Sequence, residues 1–257
     1  MLESILGIPT LPSELITEIL SRLPVKSLLK FTSVSKSWLD LISSPEFIKS
    51  QLNLSANNKD NTHHRLMWCD YDDDNLKDWS LRPVLYESNA TEASYFNFPM
   101  KKQQQIRYIN HVNGLFFVDW SNNLFLWNPS IRKYKKVPHC TTNSRDAICV
   151  IYGFGYDKFC DDYKVVACTY YNGQYSYDTQ VHIYSLKTDS RRNIHCLDQK
   201  RDFIENSGKF VNGKIYWVND DSSDPNIFYI DLVNEKLEKM EQPPHGEGNY
   251  DLQLGLL

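Results

Sequence analysis

A few residues in this chain have the types and spacing from which chemistry is built. "GFGYDK", residues 153–158, opens as a phosphate loop does, but Lys158 stands where the third glycine of a dinucleotide fingerprint would be. It sits among strand-forming residues with no helix after it, so a phosphate would find no helix N-terminus to rest on. Asp70, Asp72, Asp73 and Asp74 have the carboxylate density of a calcium loop. Such a loop needs glycine at its sixth position and glutamate at its twelfth, where this chain has Asn75 and Leu81. These acids, and Asp220, Asp221 and Asp224, read as solvated connections. His63-His64, His139-Cys140 and His195-Cys196 supply ligand types without ligand spacing, because strand neighbours point to opposite faces. No Gly-x-Ser-x-Gly elbow occurs. The residues therefore point to no metal, no cofactor and no enzyme. One enzymatic alternative stays open, a glycosidase, since two convergent carboxylates about 5–9.5 Å apart can be hidden among 32 acids.

Two further groups bear on binding. Arg132, Lys133, Lys135 and Lys136 alternate along an expected strand and so divide their charge between two faces, a solvent-facing strand rather than a phosphate track. Trp120 flanks a turn and is the aromatic expected to be exposed to a ligand. The net charge of -4 argues against nucleic acid or an anionic membrane as partner.

These residues must be carried by a fold, and the composition bounds it. Hydrophobic content of 41% and charged content of 23% are those of a globular chain, and 257 residues suffice for one large or two modest domains. Aromatics at 13% favour strands. Cys69, Cys140, Cys149, Cys160, Cys168 and Cys196 form no CxxC pair and are expected to be free, mostly buried thiols in a reducing compartment. The N-terminus has no basic residue before Arg22, and no apolar run approaches the ~20 residues of a membrane span, which places the chain in the cytoplasm or nucleus. The sequons at Asn53 and Asn89 are then unused.

The first fifty residues are helical. Pro12 suits a first helical turn, and Leu15, Ile16, Ile19, Leu20 and Leu23 recur at helical spacing. Pro24 ends that helix and starts another with Leu28, Leu29 and Phe31. A third carries Val34, Trp38, Leu41 and Ile42, and Ser44-Pro45-Glu46 caps a last one running through Leu52. So small a bundle cannot bury this many large aliphatics. The surplus either meets a partner or packs on the rest of the chain.

The rest is strands. Residues 55–64 are polar and read as a hinge. A strand–turn–strand–turn–strand unit then recurs as "VNGLFFVDW" with "LFLWNPSIRKYKKVP", "DYKVVACTYY" with "QVHIYSLKTDSRRNI", and "FVNGKIYWVN" with "NIFYIDLVNEKLEKM". Aligning Trp127, Tyr184 and Ile230 superposes Asn128, Ser185 and Asp231 in steps of 57 and 46 residues. A looser copy, "RLMWCDY" with "WSLRPVLY", precedes them. Repeats of this length in short strands make a propeller-like array. Asn113-Gly114, Ser121-Asn122-Asn123 and Asn212-Gly213 supply the hairpin turns, and alternation in "QVHIYSL" and "KIYWV" predicts one buried face.

Residues 11 to about 48, with the Leu-Pro opening, "RLPVKSLL" and "VSKSW" in order, closely resemble the F-box of the large land-plant F-box family. "NGLFFV", "LWNPSIRKYKKVP", "GFGYDKFCDDYKVV", "VHIYSLKTDSRRNI" and "GKFVNGKIYWV" resemble the F-box-associated domain that follows it, over residues 106 to 245 and more weakly from 65. The resemblance implies an α+β multi-domain chain: a small helical F-box at 1–52, a linker at 53–64, and an all-β, kelch-like, propeller-like domain at 65–257 that stops short of the family's usual end. It implies docking on the Skp-type adaptor, and through it on cullin and a RING protein, while the β domain holds a target protein. Leu11, Pro12, Leu15, Ile19, Leu23, Pro24, Leu28, Leu29, Val34, Ser35, Lys36 and Trp38 match the motif and are the expected adaptor-binding residues. Some of them belong to the motif's own core. Target contacts are expected in the connections near residues 70–79, 141–148, 172–179 and 219–226. A lectin-like module outside any ligase and a truncated competitor of full-length receptors are the alternatives.

Overall fold

Prolines and serines punctuate the helical segment. In the structure, a computed structural model, Ser13–Ser21 form α1, Val25–Phe31 α2, Lys36–Ser43 α3 and Pro45–Ala56 α4. Residues 11–57, 64–70, 75–86, 93–95, 106–139, 147–172, 177–194, 207–219 and 226–240 are described. Pro12 and Pro24 are the N-cap residues of α1 and α2, one position before the helices start, and their carbonyls accept the first helical N–H groups. Ser35 Oγ accepts the Trp38 N–H, and Ser44 Oγ accepts that of Phe47, each at 3.2 Å, which satisfies donors that a helix start otherwise leaves open. α4 runs to Ala56, past the expected end at Leu52, because Asn57 closes it by donating its side-chain amide to the Asn53 carbonyl at 2.9 Å. No helix among the described residues is long and apolar enough to cross a membrane.

The chain divides into two compact units, Met1–Gln104 with Ser130–Arg132, and the remainder from Gln105. The first holds the four helices and an antiparallel sheet of β1 (Arg65–Asp70), β2 (Asn75–Ser80) and β3 (Ser94–Tyr95). The strand expected in "WSLRPVLY" is not formed there. β2 ends at Ser80, and Leu81–Tyr86 make a short helix, α5, with Pro83 in its first turn where no N–H is needed.

The second unit contains three four-stranded antiparallel sheets, each a meander. They are β4 (Ile106–Val112) to β7 (Lys133–Val137) through β5 (Leu115–Trp120) and β6 (Asn123–Asn128); β8 (Ala147–Asp157) to β11 (Ser190–Ile194) through β9 (Asp162–Asn172) and β10 (Tyr177–Ser185); and β12 (Lys209–Val211) to β15 (Lys236–Met240) through β13 (Lys214–Asn219) and β14 (Asn226–Asp231). The repeat therefore has four strands rather than three. The first strand of the opening sheet, "IRYINHV", carries too much polar sequence to announce itself, whereas the largely apolar β8 is interrupted by two glycines. Trp127, Tyr184 and Ile230 do occupy one position, next to last in the third strand of each sheet.

Burial departs from the alternating pattern expected of "QVHIYSL". Val181 to Ser185 are all buried, because the β8–β11 sheet has a neighbour on each face. On one side Tyr152, Phe154, Val165, Ala167 and Tyr184 pack with Tyr108, Phe117, Leu124, Leu126 and Val137 of the preceding sheet. On the other, Ile151, Val166, Cys168, Val181 and Ile183 pack with Ile215, Trp217, Ile230 and Leu232 of the following one. The "GFGYD" glycines belong to this packing. Gly153 lies inside β8, where a Cβ would come within 2.6 Å of Ile215 and Trp217. The pair therefore lets two sheets approach, and no phosphate loop exists there. Trp120 is only 4% exposed, so the expected ligand-facing aromatic is a core residue.

Turn chemistry sets the ends of the sheets. Asn113-Gly114, Ser121-Asn122 and Asn212-Gly213 are two-residue hairpin turns with both residues at positive φ. Four other hairpins (β6–β7, β8–β9, β10–β11, β14–β15) close with four residues and end in left-handed Arg132, Asp161, Asp189 or Glu235. They open on Asn128, Asp157, Ser185 and Asp231. Asp157 and Asp231 Oδ1 each accept two N–H groups of their own turn at 2.9 and 3.1 Å.

Two sheets are joined at the β8–β9 and β14–β15 turns by a buried cation. Lys164 on β9, 3% exposed, gives its ammonium to Asp157 at 3.0 Å, Glu235 at 2.9 Å and the Leu232 carbonyl at 2.6 Å. Burial by itself would push the lysine towards neutrality. The bonds to Glu235 and Asp157 overcome this and raise its pKa, while Lys164 and the turn N–H groups hold the Asp157 carboxyl below its usual value against its own desolvation. Removing the cation strands two partly dried carboxylates. We predict that Lys164→Met destabilises the second unit by about 3–5 kcal/mol, measured as lost amide-hydrogen protection in β9 and β14; wild-type protection in that variant would refute the role assigned to the cage.

Candidate functional site

The helical head separates its apolar residues into two populations. Leu20, Leu28, Ile42 and Phe47 form its buried centre, with Ile16, Leu23, Phe31, Trp38 and Leu41 packed around them. Phe31 and Trp38 meet edge to face with ring centroids 5.7 Å apart. Helices of seven to twelve residues offer one inward stripe each, and that stripe is full. What is left faces outward. Leu11, Leu15, Ile19, Leu29 and Val34 are 43–58% exposed. Leu11, Leu15 and Ile19 follow one another at steps of four, the spacing that aligns side chains along a single helix face.

The twelve residues singled out from sequence thus have different positions. Leu28 is buried in the head's core, and Leu23 and Trp38 are half-buried against it. Pro12, Pro24, Ser35 and Lys36 are exposed, Pro12 and Pro24 as N-caps and Ser35 as the cap of α3. The other five make the exposed apolar row. Leu39, Ile48 and Leu54 are exposed as well and were not singled out. Leu39 lies off the Val34–Trp38–Leu41–Ile42 stripe, which is the signal that marks it as outward-facing. An apolar row with basic residues such as Lys26, Lys30 and Lys36 exposed nearby in sequence can bind a protein surface.

Among the described residues the polar groups elsewhere assemble no reactive centre. No group of three or more His, Cys, Asp and Glu is placed to hold a metal. Asp119 is a buried carboxylate whose pKa is raised by desolvation, offset in part by Arg107, the Asn122 N–H and His139. The charges acting on it are cationic, whereas a glycosidase pairs two carboxylates. Cys168 is buried and free, but Cys149 and Cys160 are exposed, against the expectation of mostly buried thiols. The basic run of β7 is an outer strand with Lys133, Lys135 and Lys136 all exposed; Lys135 pairs with Asp189 at 3.0 Å and lies over the Tyr184 ring. The acidic residues at 72–74 and 220–224, His63, Cys140, His195, Cys196 and the expected target connections at 71–74, 141–146, 173–176 and 220–225 lie outside the described residues.

Comparison with known proteins names the family. Residues 65–254 match the F-box associated beta propeller domain and residues 8–50 match the F-box domain. The chain belongs to the F-box proteins that carry this β-propeller domain. It is 29% identical to the F-box/kelch-repeat protein At3g23880 of Arabidopsis thaliana over 95% of this chain and 69% of that one. It is 30% identical to the putative F-box protein At5g15660 of the same plant over 81% of this chain and 47% of that one, about half of that relative's length. Likeness to solved structures is loose. The extracellular domain of the putative one component system BT4673 from B. thetaiotaomicron matches 70% of this chain at a TM-score of 0.39 and 12% identity, too low for any argument to rest on it.

Two predictions come from this geometry. Leu28→Ala should destabilise the head by about 2–5 kcal/mol, whereas Leu15→Ala and Ile19→Ala should leave its thermal unfolding within about 0.5 kcal/mol of wild type; equal losses would refute the division into core and surface. The second concerns His182, which is 5% exposed with neither ring nitrogen hydrogen-bonded and has its pKa lowered by burial and then by Arg191. The unfolded chain takes up a proton near 6.5 that the folded chain resists, so stability falls as pH drops below that value. His182→Leu should flatten the decline of melting temperature between about pH 7 and pH 5, and an unchanged slope would show that other groups control it.

Proposed function

We propose that this chain is the substrate-receptor subunit of an SCF-type ubiquitin ligase. The helical head docks on a Skp-type adaptor, and through it on cullin and a RING protein, while the β body holds a target protein. The observation that carries this reading is the row of Leu11, Leu15, Ile19, Leu29 and Val34, left outside a head whose own core is already filled. Membership of an F-box family, a receptor family rather than an enzyme family, supports it. The matched ranges support an adaptor-binding head at 1–52 and a target-binding body at 65–257, the linker at 53–64 between them opening on the last turn of α4.

The twelve matched residues take unequal parts in this reading. Leu11, Pro12, Leu15, Ile19, Pro24, Leu29, Val34, Ser35 and Lys36 face the adaptor, while Leu23, Leu28 and Trp38 hold the surface in shape from within. Such an interface buries on the order of 1,600 Å² in total, with its central aliphatics carrying most of the energy. The receptor performs no bond-making step. It raises the effective concentration of a target beside the ubiquitin-carrying enzyme in the cytoplasm or nucleus.

Replacing Leu11 and Pro12 together by alanine should abolish co-purification with the adaptor while the circular dichroism of the β body stays as in wild type. Undiminished adaptor binding by that variant would remove these two residues from the interface. No adaptor binding by the wild-type chain would overturn the receptor reading.

A further inference from the structure

β7 is the outer strand of its sheet, and among the described residues Lys133–Val137 pair with β6 alone. On its open side every second N–H and C=O points away from β6, and Pro138 ends the run by offering no N–H. Such an edge is a template for another strand. Proteins blunt these edges with lysine, and here Lys133, Lys135 and Lys136 are all exposed, beside Tyr134 at 50%. Lysines at an edge discourage neutral and cationic strands. They favour an acidic one, because opposite charges across a strand pair attract.

The charge along this edge is net positive. Residues 129–139 contain no acid. Arg132, Lys133, Lys135 and Lys136 are joined by Arg191, which donates to the His139 carbonyl at 2.9 Å, and the one carboxylate bonded among these five cations is Asp189, on Lys135. Lys133 and Lys136 have no ion pair among the described residues. In the turn that carries Asp189, Lys187 balances the buried Asp162, and Asp119, two strands inward, is buried with Arg107 acting on it.

The lysines divide between two faces. Val137 turns inward, and Lys133 and Lys135 share its face, where Lys135 lies 6.0 Å from the centre of the Tyr184 ring. Tyr134 and Lys136 stand on the other face, Tyr134 edge to face with Phe125 at 5.9 Å between centroids. A phosphate backbone laid along one face would miss the lysine on the other. An added strand alternates its own side chains in the same way and meets all three. A second copy of this chain fits badly, since the fourth strands of the other two sheets in the second unit are basic as well, with Arg191 and Arg192 in β11 and Lys236 and Lys239 against Glu238 in β15. We infer that the open edge of β7 takes an extended acidic segment of another protein as an added antiparallel strand, its acids set against Lys133, Lys135 and Lys136. The backbone bonds supply the attraction common to any strand, and the lysines select the acidic one. This edge lies outside the connections expected from sequence to meet a target. It deepens the receptor reading, on which it rests for its biological use, by naming where the β body would hold a target and the chemistry of the segment held.

The probe is a blocked fluorescent peptide, Thr-Val-Glu-Glu-Val-Glu-Thr, which sets a glutamate opposite each of the three lysines when it runs antiparallel to β7. Anisotropy with the full chain should show saturable binding that weakens as salt is raised. Replacing the glutamates by glutamine should weaken it about tenfold. Two further peptides are N-methylated at alternate residues, one in each phase. One of them should bind about tenfold more weakly and the other as the parent does, since only every second N–H of an added strand faces its partner. Lys133→Glu/Lys136→Glu should bind the glutamate peptide about tenfold more weakly and take up its lysine counterpart instead, with an unchanged melting temperature. Absence of wild-type binding, equal binding of the two methylated peptides, an unreversed preference in the double variant, or tighter binding of a single-stranded oligonucleotide than of the peptide would overturn the proposal. Adaptor co-purification is read on the same wild-type chain, and its absence beside intact peptide binding would overturn the receptor reading alone.

Discussion

The β8–β11 sheet is apolar on both faces, and this one constraint organises the second unit. Val165 and Ala167 point one way along β9, Val166 and Cys168 the other, and all four are buried. A sheet with a single covered face would leave one of these rows in water, at roughly 25 cal/mol for each Å² of apolar surface. Stacking between two neighbours is therefore a condition of the sheet existing at all, which is the logic of repeat architectures. The glycines of β8 follow from the same condition. A neighbouring sheet can come close enough to bury Trp217 because Gly153 and Gly155 have no Cβ to meet it.

Close stacking also decides what the polar residues do. At the ends of the sheets the strands must turn, and the turn-opening Asp157, Asp231 and Ser185 side chains accept N–H groups of the turn backbone. Lys164 uses two of these turns as counter-charge, so the seam between two sheets is electrostatic where it is no longer apolar.

The head faces the opposite problem. Its helices are too short to offer more than one inward stripe each, and their sequence is too rich in leucine and isoleucine for that stripe to absorb. Leu20 and Leu28 take the inside, and Ile19 and Leu29, each one position away along the chain, are turned out by the 100° step of the helix. An exposed apolar row of this kind follows from the sequence once the core is complete, and a family whose members carry an F-box gives it a use.

Much of this was legible in the sequence. Local rules placed the cap at Ser44, the two-residue turns at Asn113 and Asn212, the helical head and the repeat alignment of Trp127, Tyr184 and Ile230, because each depends on residues close in the chain. The same rules failed wherever a neighbouring sheet intervened. They exposed Trp120, gave β10 one buried face and counted three strands per repeat, since nothing local reveals that both faces of a strand will be covered. Nor could spacing tell Leu28 from Leu29. The sequence by itself determined the helical head, most of the strands and the turns between them, and that the head holds more apolar surface than it can bury. Only the tertiary structure decided which side chains are spent inside and which remain for a partner, because burial is settled between elements far apart in the chain.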